Sequence, residues 1–344
     1  MNERAQQPLA GDPAARVIVA GASGFAGALA AELAWRHPQL ELAAITARAD
    51  AGKPLAELYP RYRVPLELAE LDLGVLEGVD AAIVAYPHGA SAPVVAEMRG
   101  LGIQVVDLSA DFRLRDVPTY ERWYGPHGEP DLLEGAVYGL TELYRDRVRE
   151  ADLVANPGCY PTAALLALAP LAGRGLVDGA VIDAKSGVSG AGRGGGDRLH
   201  FVNVDENFSP YGTDGHRHSP EIDQELATLG FDGGATFVPH LLPLDQGLLA
   251  TCYVELAEPI GAGALAELYE DRYSGEPFVE VLDRPPGVRE VRDTNLCRVH
   301  ATLDHGGRRA IAFAAIDNLW KGASGQAIQN LNLMLGLPET EGLL

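Results

Sequence analysis

The chain is short of cysteine and of long apolar runs, and each shortage excludes a class of protein. Its three cysteines, Cys159, Cys252 and Cys297, lie too far apart in the sequence for a disulfide framework or a zinc-binding pattern, so we expect no metal site and a reducing, cytoplasmic location. No stretch reaches about 18 uninterrupted apolar residues, so we expect no membrane span. Residues 1–15 are polar and lack the apolar core of a signal peptide, and we expect them to form a flexible N-terminus.

Positive charge is scarce as well. The formal net charge is −21 at pH 7, which argues against nucleic acid or an anionic membrane surface as a partner. Three of the 27 basic residues are lysines and the rest are arginines. The three lysines, Lys53, Lys185 and Lys321, each lie in a glycine-containing segment.

The 344 residues, 47% of them hydrophobic, suggest roughly two domains. Near the start, a β-branched run at Arg16–Ala20 leads into a glycine loop, a helical pattern at Ala28–Arg36 and a further strand at Leu40–Thr46. This order is typical of a dinucleotide-binding βαβ unit, in which glycines let backbone N–H groups approach a pyrophosphate. The spacing is GxxGxxG and not GxGxxG, so the prediction depends on this context. The loop residues expected to bind cofactor are Gly21, Ala22, Ser23, Gly24 and Phe25.

The end of the second strand predicts which nicotinamide cofactor is used. Leu40–Thr46 is followed by Ala47 and Arg48, with no acidic residue at the tip of the strand to bind a ribose 2′-hydroxyl. An arginine there suits a 2′-phosphate, so we expect NADP(H). Asp50, two residues after Arg48, argues against this, because an acidic residue in this region suits the ribose hydroxyl of NAD.

Alternating strands and helices continue through the first half of the chain and predict a doubly wound sheet. We expect a dinucleotide-binding domain over residues 16–158, completed by residues 318–344 with a helix at Lys321–Leu335. The further elements expected in it are strands at Val79–Tyr86, Ile103–Leu108 and Asp152–Ala155 and a helix at Ser91–Gly100.

Beyond Cys159 the pattern changes, because strands cluster with few helices between them. This predicts an antiparallel or mixed sheet in a second domain over residues 159–317. A hairpin turn is expected at Asp304-His305-Gly306-Gly307. The expected strands are Val181–Ala184, Ala235–Val238, Leu248–Leu256, Leu296–Leu303 and Arg309–Ile316.

Cys159 is the strongest candidate for a reactive residue. It stands before the apolar run Ala163–Ala172, which predicts a helix with Tyr160-Pro161 at its entry. Free N–H groups and the positive end of the helix dipole favour a thiolate there and would hold a developing oxyanion. We expect Asn156-Pro157-Gly158 to form an irregular, exposed turn, which favours a nucleophile over a buried structural cysteine.

Seven segments, in this order along the chain, resemble the N-acetyl-gamma-glutamyl-phosphate reductase family. They are residues 21–27, 86–89, 107–113, 156–162, 186–193, 216–221 and 317–322. The resemblance runs from about Val17 to the C-terminus, and one departure is Phe25, where tyrosine is usual. It implies a semialdehyde dehydrogenase-like α/β fold, with a Rossmann-type domain and an α+β catalytic and dimerisation domain, in a homodimer or homotetramer.

The activity implied by this resemblance is an NADPH-dependent reductive dephosphorylation in arginine biosynthesis. N-acetyl-L-glutamyl 5-phosphate, a small acyl phosphate, would give N-acetyl-L-glutamate 5-semialdehyde and phosphate. A Cys159 thiolate would form a thioester and release the phosphate. We predict His218 as the acid and base, oriented by Glu221 on a helix that Ser219 caps and Pro220 starts, and His216 is the competing histidine.

The anionic substrate needs local positive charge, for which Arg113, Lys185 and Arg193 are the candidates, with His216 as a further substrate contact. The resemblance implies that Ser186, Gly187 and Asn318 contact the cofactor, Asn318 at the nicotinamide amide.

Two other readings stay open. A carrier-protein-linked aminoadipyl or glutamyl phosphate reductase of lysine biosynthesis has the same design, although residues 156–161 resemble the arginine-pathway enzyme more closely. A redox-sensing nucleotide-binding module without catalysis is the alternative from another class. Labelling of Cys159 by iodoacetamide, blocked by substrate, would separate an enzyme from such a sensor.

Overall fold

The computed structural model describes residues 12–72, 74–194 and 196–344. Residues 1–11, most of the segment expected to be flexible, lie outside the described part. The chain divides into two compact units, one made of the residues up to Pro157 together with Ala323–Leu344, the other of Gly158–Gly322. Among the described residues, no helix is long and apolar enough to cross a bilayer.

The first unit is built on a sheet of seven described strands. They are β1 (Ala15–Ala20), β2 (Leu40–Thr46), β3 (Leu68–Ala69), β4 (Ala81–Val84), β5 (Gln104–Asp107), β6 (Ala136–Tyr138) and β7 (Leu153–Ala155). All pairs are parallel, in the order β3-β2-β1-β4-β5-β7-β6. Core strands such as β1 and β4 are almost wholly buried, as expected for a parallel sheet. The order reverses between β1 and β4, which is the switch point where Rossmann folds bind nucleotides.

Five described helices precede the second unit: α1 (Phe25–Arg36), α2 (Leu55–Leu58), α3 (Ala92–Gly100), α4 (Val117–Tyr124) and α5 (Thr141–Arg149). α1 begins three residues before the predicted Ala28, because Gly24 serves as its N-cap and the glycine loop runs directly into the helix. α4 and α5 were not predicted. Their charged residues interrupt the apolar spacing, and α4 buries only Tyr120.

The second unit contains a mixed sheet of seven described strands. They are β8 (Val177–Gly187), β9 (Ser209–Pro210), β10 (Ala235–Leu242), β11 (Leu248–Leu256), β12 (Val279–Val281), β13 (Cys297–Leu303) and β14 (Arg309–Ile316). Their order is β12-β13-β14-β11-β8-β10-β9, with β8/β10 and β12/β13 parallel and the other pairs antiparallel. The expected Rossmann domain with an α+β second domain is therefore confirmed, as is the turn between β13 and β14.

The helices described in this unit are α6 (Cys159–Ala172), α7 (Phe201–Val204), α8 (Ser219–Thr228) and α9 (Ala262–Tyr273). α6 is buried from Tyr160 to Ala172 and packs on β8 and β11. Side chains alternate along β8, so the fully buried Ile182 and Ala184 face the helices, and Asp183 and Lys185 lie on the opposite face.

The last helix, α10 (Gly325–Met334), belongs to the first unit and packs on α1, α5 and β5. It starts later than the predicted Lys321, because Trp320–Ser324 forms a turn of π-helix. Every residue of α10 is buried, including polar ones. Asn330 shows why: its amide donates to the Gly139 carbonyl at 2.8 Å and accepts from the Thr141 hydroxyl at 2.8 Å.

Candidate active site

The glycine loop of the first unit is shaped by close backbone approach. Gly21 has a φ of +91°, and a Cβ on it would lie 2.6 Å from the carbonyl oxygen of Ala85. A Cβ on Gly27 would lie 2.2 Å from the carbonyl oxygen of Gly21. Gly24, the N-cap of α1, has no side chain with which to cap the helix. The start of α1 therefore offers backbone N–H groups to a pyrophosphate, and the loop fits a dinucleotide.

The end of β2 touches this loop, because the Thr46 carbonyl accepts hydrogen bonds from the N–H groups of Gly21 and Ala22 at 3.0 and 2.9 Å. Arg48 follows on the surface, with its guanidinium 5.5 Å from the ring centroid of Tyr86. Arg48 is thus positioned beside Tyr86, shortly after the end of β4.

The N-terminus of α3 is occupied by a buried carboxylate. Asp111 accepts hydrogen bonds from the N–H groups of Gly89, Ser91 and Ala92 at 2.7, 3.2 and 3.0 Å. Asp107 lies beneath it and accepts from the Ser91 hydroxyl at 2.5 Å. Burial raises the pKa of Asp107 to about 6, although the serine hydroxyls oppose this shift. The segment 107–113 is therefore a structural cap as well as a sequence motif.

Arg113, predicted to bind substrate, is buried in the first unit and holds the backbone before Cys159. Its Nε donates to the Asn156 carbonyl at 2.7 Å and its Nη2 to the Leu108 carbonyl at 2.7 Å. The Asn156 side chain donates to the Ala323 carbonyl at 3.1 Å. Asn156, Pro157 and Gly158 are all buried, so the expectation of an exposed turn was wrong. This polar network, which joins residues distant in sequence, is the reason.

Cys159 is the first residue of α6, and Gly158 is the N-cap. Pro161 is the third helical residue, so the helix starts slightly earlier than predicted. Cys159 is partly exposed, whereas Cys252 and Cys297 are buried, and burial raises the pKa of Cys252 to about 12. Of the three thiols, Cys159 is the one with both solvent access and a helix N-terminus.

The residues around Cys159 fix its position. The N–H of Gly158 donates to Glu221 Oε1 at 2.8 Å, and Glu221 is 1% exposed. A Cβ on Gly322 would lie 2.7 Å from the Cβ of Cys159, so only glycine leaves room for the Cys159 side chain. The structure thus brings Glu221 to the entrance of α6.

His218 is the N-cap of α8 and Ser219 its first residue, so the expectation that Ser219 caps this helix was wrong. Glu221 follows in the first turn of α8, as predicted from the Pro220 that starts it. The ring of His218 lies 5.9 Å from that of Tyr160, which follows Cys159. His218, Glu221 and Cys159 therefore belong to one cluster in the second unit.

His216 is set in an aromatic surrounding. Its ring packs edge-on against Tyr160, Tyr211 and Phe237, at 5.8, 5.5 and 5.3 Å. Its Nδ1 accepts a hydrogen bond from the N–H of His218 at 3.0 Å. Burial, assisted by the charge of Arg217, lowers the pKa of His216 to about 4, so the ring is neutral at neutral pH.

The other predicted contacts lie elsewhere in the second unit. Lys185 Nζ is 2.5 Å from Asp183 Oδ2, on the sheet face opposite to α6, and His240 Nδ1 is 3.1 Å from Asp183 Oδ1. Arg193 is exposed in a turn. The Lys185 ammonium is thus paired with a carboxylate of its own strand.

Asn318 and Gly187 lie in loops that pack against each other. Asn318 donates to the Ser189 hydroxyl at 2.9 Å and accepts from the N–H of Gly247 at 2.8 Å. A Cβ on Gly187 would lie 2.5 Å from the Asp245 carbonyl oxygen, and Ser186 is 2% exposed. The Asn318 amide is therefore fixed in orientation by protein groups.

Sequence reasoning missed Tyr160 and Tyr211 as site residues. The Tyr160 hydroxyl donates to the His240 carbonyl and accepts from the Tyr211 hydroxyl, both at 3.1 Å, and burial raises the pKa of Tyr160. The signal for Tyr160 was its place next to Cys159. Tyr211 had no comparable signal, because its partner lies 51 residues earlier.

Comparison with known proteins agrees with this architecture. Two family models match: "Semialdehyde dehydrogenase, NAD binding domain" over residues 16–151 and "Semialdehyde dehydrogenase, dimerisation domain" over residues 159–318. Among solved structures, aspartate semialdehyde dehydrogenase II from Vibrio cholerae shares the fold, with a TM-score of 0.72 at 19% identity over 94% of this chain and 98% of that one. The enzyme from Candida albicans, solved with NADP, gives a TM-score of 0.66 at 15% identity over 93% and 98%.

Curated relatives are much more similar in sequence. N-acetyl-gamma-glutamyl-phosphate reductase from Pelotomaculum thermopropionicum is 49% identical over 339 residues, which cover 96% of this chain and 98% of the relative. The protein of the same name from Moorella thermoacetica is 47% identical over 94% of this chain and 96% of its own length. On this evidence the chain is a member of the N-acetyl-gamma-glutamyl-phosphate reductase family, within the semialdehyde dehydrogenases.

Proposed function

We propose that the chain catalyses the NADPH-dependent reductive dephosphorylation of N-acetyl-L-glutamyl 5-phosphate. The products are N-acetyl-L-glutamate 5-semialdehyde and phosphate. One observation carries the proposal: in a chain 49% identical to a reductase of that name, the partly exposed Cys159 starts a helix whose N-cap is bonded to Glu221. The carrier-protein-linked alternative is not favoured by these relatives.

The Cys159 thiolate is proposed to attack the acyl carbon of the substrate. The bond from that carbon to the phosphate oxygen breaks, phosphate leaves with the electron pair, and a thioester remains on Cys159. NADPH, when bound, would supply the hydride that reduces the thioester carbon. Collapse of the resulting oxyanion expels the Cys159 sulfur as thiolate and releases the aldehyde. The N–H groups at the start of α6 are available to stabilise that oxyanion.

His218 is our choice for the proton carrier that accepts the Cys159 proton and later returns it. Its position as N-cap of α8 disfavours a positive charge, since the N-terminus of a helix is itself positive. The Glu221 carboxylate in the first turn offsets that cost and supports an imidazolium. His216 suits the role less well, because its lowered pKa, about 4, keeps it neutral while its Nδ1 holds the His218 backbone.

We further propose NADP(H) as the cofactor. The glycine loop supports binding of the pyrophosphate, and the exposed Arg48 supports binding of a 2′-phosphate. Replacing Arg48 with alanine should lower the preference for NADP over NAD. Equal efficiency with both cofactors in the wild type would contradict the proposal.

A homodimer or homotetramer is proposed, together with a cytoplasmic location. The sheet face of the second unit that α6 leaves uncovered carries exposed apolar side chains, Val181 at 42% and Tyr253 at 39%. Because this unit matches a dimerisation domain, we propose that a second copy covers that face. Lys185, paired with Asp183 on the same face, would then be buried in the dimer.

The reaction can be tested in reverse. The purified chain should reduce NADP⁺ in the presence of N-acetyl-L-glutamate 5-semialdehyde, and only when inorganic phosphate or arsenate is added to cleave the thioester. The carrier-bound aminoadipate semialdehyde serves as the competing substrate. Turnover of the carrier-bound compound alone would favour the lysine-pathway alternative, and phosphate-independent turnover would contradict the thioester route.

A further inference from the structure

Lys53 takes no part in the chemistry described so far, although it lies in the segment that follows β2. It follows Gly52, which has a φ of +83°. Its backbone is fixed on both sides: the carbonyl accepts from the N–H of Leu68 at 2.9 Å, and the N–H donates to the Asp50 carbonyl at 3.2 Å. Its ammonium lies 2.9 Å from Asp50 Oδ1. Lys53 is therefore held in place as the counter-charge of Asp50.

Asp50 stands in the segment where an acidic residue would favour NAD. This segment follows β2, and the last residue of β2, Thr46, bonds through its carbonyl to the N–H groups of the glycine loop. A carboxylate in this region of a Rossmann fold accepts hydrogen bonds from the ribose hydroxyls of NAD. It also repels a 2′-phosphate. An unneutralised Asp50 would thus act against the NADP preference that Arg48 supports.

We propose that Lys53 is a specificity-determining residue, which directs the site to NADP(H) by neutralising Asp50. The inference rests on the NADP(H) preference proposed above. Asp50 is 9% exposed, so its charge is only weakly screened by water and needs a nearby cation. With the pair intact, Arg48 is left to bind the 2′-phosphate.

Direct binding of the phosphate by Lys53 is the competing explanation, and a double variant separates the two. Both explanations predict that Lys53→Met weakens binding of a 2′-phosphate. Neutralisation alone predicts that adding Asp50→Asn restores the binding, because the unmasked carboxylate is then absent. Lys53→Arg keeps the charge and serves as the matched control.

The test measures binding of two nucleotide fragments by calorimetry, adenosine 2′,5′-bisphosphate and AMP, so that turnover is not needed. The wild type should prefer the bisphosphate. Lys53→Met should lower that preference by about tenfold or more, Lys53→Arg should keep it, and Lys53→Met/Asp50→Asn should recover most of it. The preference for NADP⁺ over NAD⁺ in catalytic efficiency should change in the same direction as the preference between the two fragments.

Two results would overturn the inference alone: an unchanged preference in Lys53→Met, or no recovery in the double variant. A pair with a merely structural role would lower the thermal stability and weaken both fragments equally, which also overturns it. If the wild type binds both fragments equally, the NADP(H) assignment fails and this inference fails with it. Loss of preference in Arg48→Ala but not in Lys53→Met would leave the NADP(H) assignment intact.

Discussion

Helices α1 and α3 of the first unit follow neighbouring parallel strands, β1 and β4, yet their N-termini are occupied differently. At α3 the Asp111 carboxylate accepts from the N–H groups of Gly89, Ser91 and Ala92. At α1 the N-cap is Gly24, which has no side chain. A carboxylate already satisfies the positive end of α3, so the anion-binding capacity of this sheet edge lies at α1. The comparison supports our proposal that the glycine loop, despite its weak spacing, binds the cofactor.

The entrance of α6 in the second unit differs from both. A buried carboxylate is present, as at α3, but Glu221 comes from a helix 63 residues later and bonds to Gly158, next to Cys159. The bond therefore joins the start of α6 to the start of α8, where His218 lies. At α3 the carboxylate is a cap, whereas at α6 we propose that it positions Cys159 and His218 for reaction.

The largest effect, on turnover, is expected from Cys159→Ser. This variant tests whether a nucleophile at the start of α6 is what distinguishes it from the start of α3. A serine hydroxyl has nearly the same shape but is a far weaker nucleophile without strong base activation, so turnover should fall by at least about 10³-fold. NADPH binding, measured by fluorescence quenching, should stay the same. Iodoacetamide should label the wild type in a substrate-protected manner. Near-normal turnover in the variant would refute the covalent route.

Glu221 and His218 should act as a unit. His218→Ala should lower turnover by about 10²- to 10⁴-fold, Glu221→Ala by less, and the double variant by no more than His218→Ala alone. Rate constants from the three variants, with His216→Ala measured beside them, decide this. Losses that multiply would instead mean that Glu221 serves Gly158 independently of His218.

The conservative variant Glu221→Gln separates two proposed contributions of Glu221, the hydrogen bond to the Gly158 N–H and the negative charge that supports His218. It keeps an acceptor for the Gly158 N–H, so most of the stability that Glu221→Ala loses, about 1–3 kcal/mol for an unsatisfied buried donor, should return. The amide cannot balance an imidazolium, so turnover should stay low and the pH profile should shift. Full rescue of turnover would make Glu221 a cap like Asp111.

Much of the fold was predictable because buried strands are short apolar runs. Leu40–Thr46, Leu248–Leu256 and Arg309–Ile316 match their strands at both ends. α9 was missed, because its charged residues and its N-cap Gly261 give a weak helical pattern. The bond between Glu221 and Gly158 was out of reach as well, since nothing local marks a carboxylate that caps a distant helix.

A smaller effect, on cofactor binding, is expected at α1. The Cβ of Gly27→Ala would meet the Gly21 carbonyl oxygen at 2.2 Å, which displaces the loop and should weaken NADPH binding by tenfold or more, about 1.4 kcal/mol. Gly100→Ala in α3 is the steric control, because nothing lies within 4 Å of its Cβ. Iodoacetamide labelling of Cys159 should be kept in both variants. Equal NADPH affinity in Gly27→Ala would show that α1 is not the pyrophosphate site.

The last effect is on stability and not on catalysis or binding, and it concerns the buried Asp107 beneath the α3 cap. Burial raises the pKa of Asp107 from 3.8 to about 6, so the folded protein binds this proton more tightly than the unfolded chain. The contribution of Asp107 to stability is therefore full below about pH 4 and is lost as the pH rises to about 6, by roughly 3 kcal/mol. Asp107→Asn has no such proton. The free energy of unfolding of the wild type minus that of the variant, from urea titrations between pH 4 and 7, should thus decrease by this amount and then level off, whereas parallel curves would mean that Asp107 stays ionised under the cap.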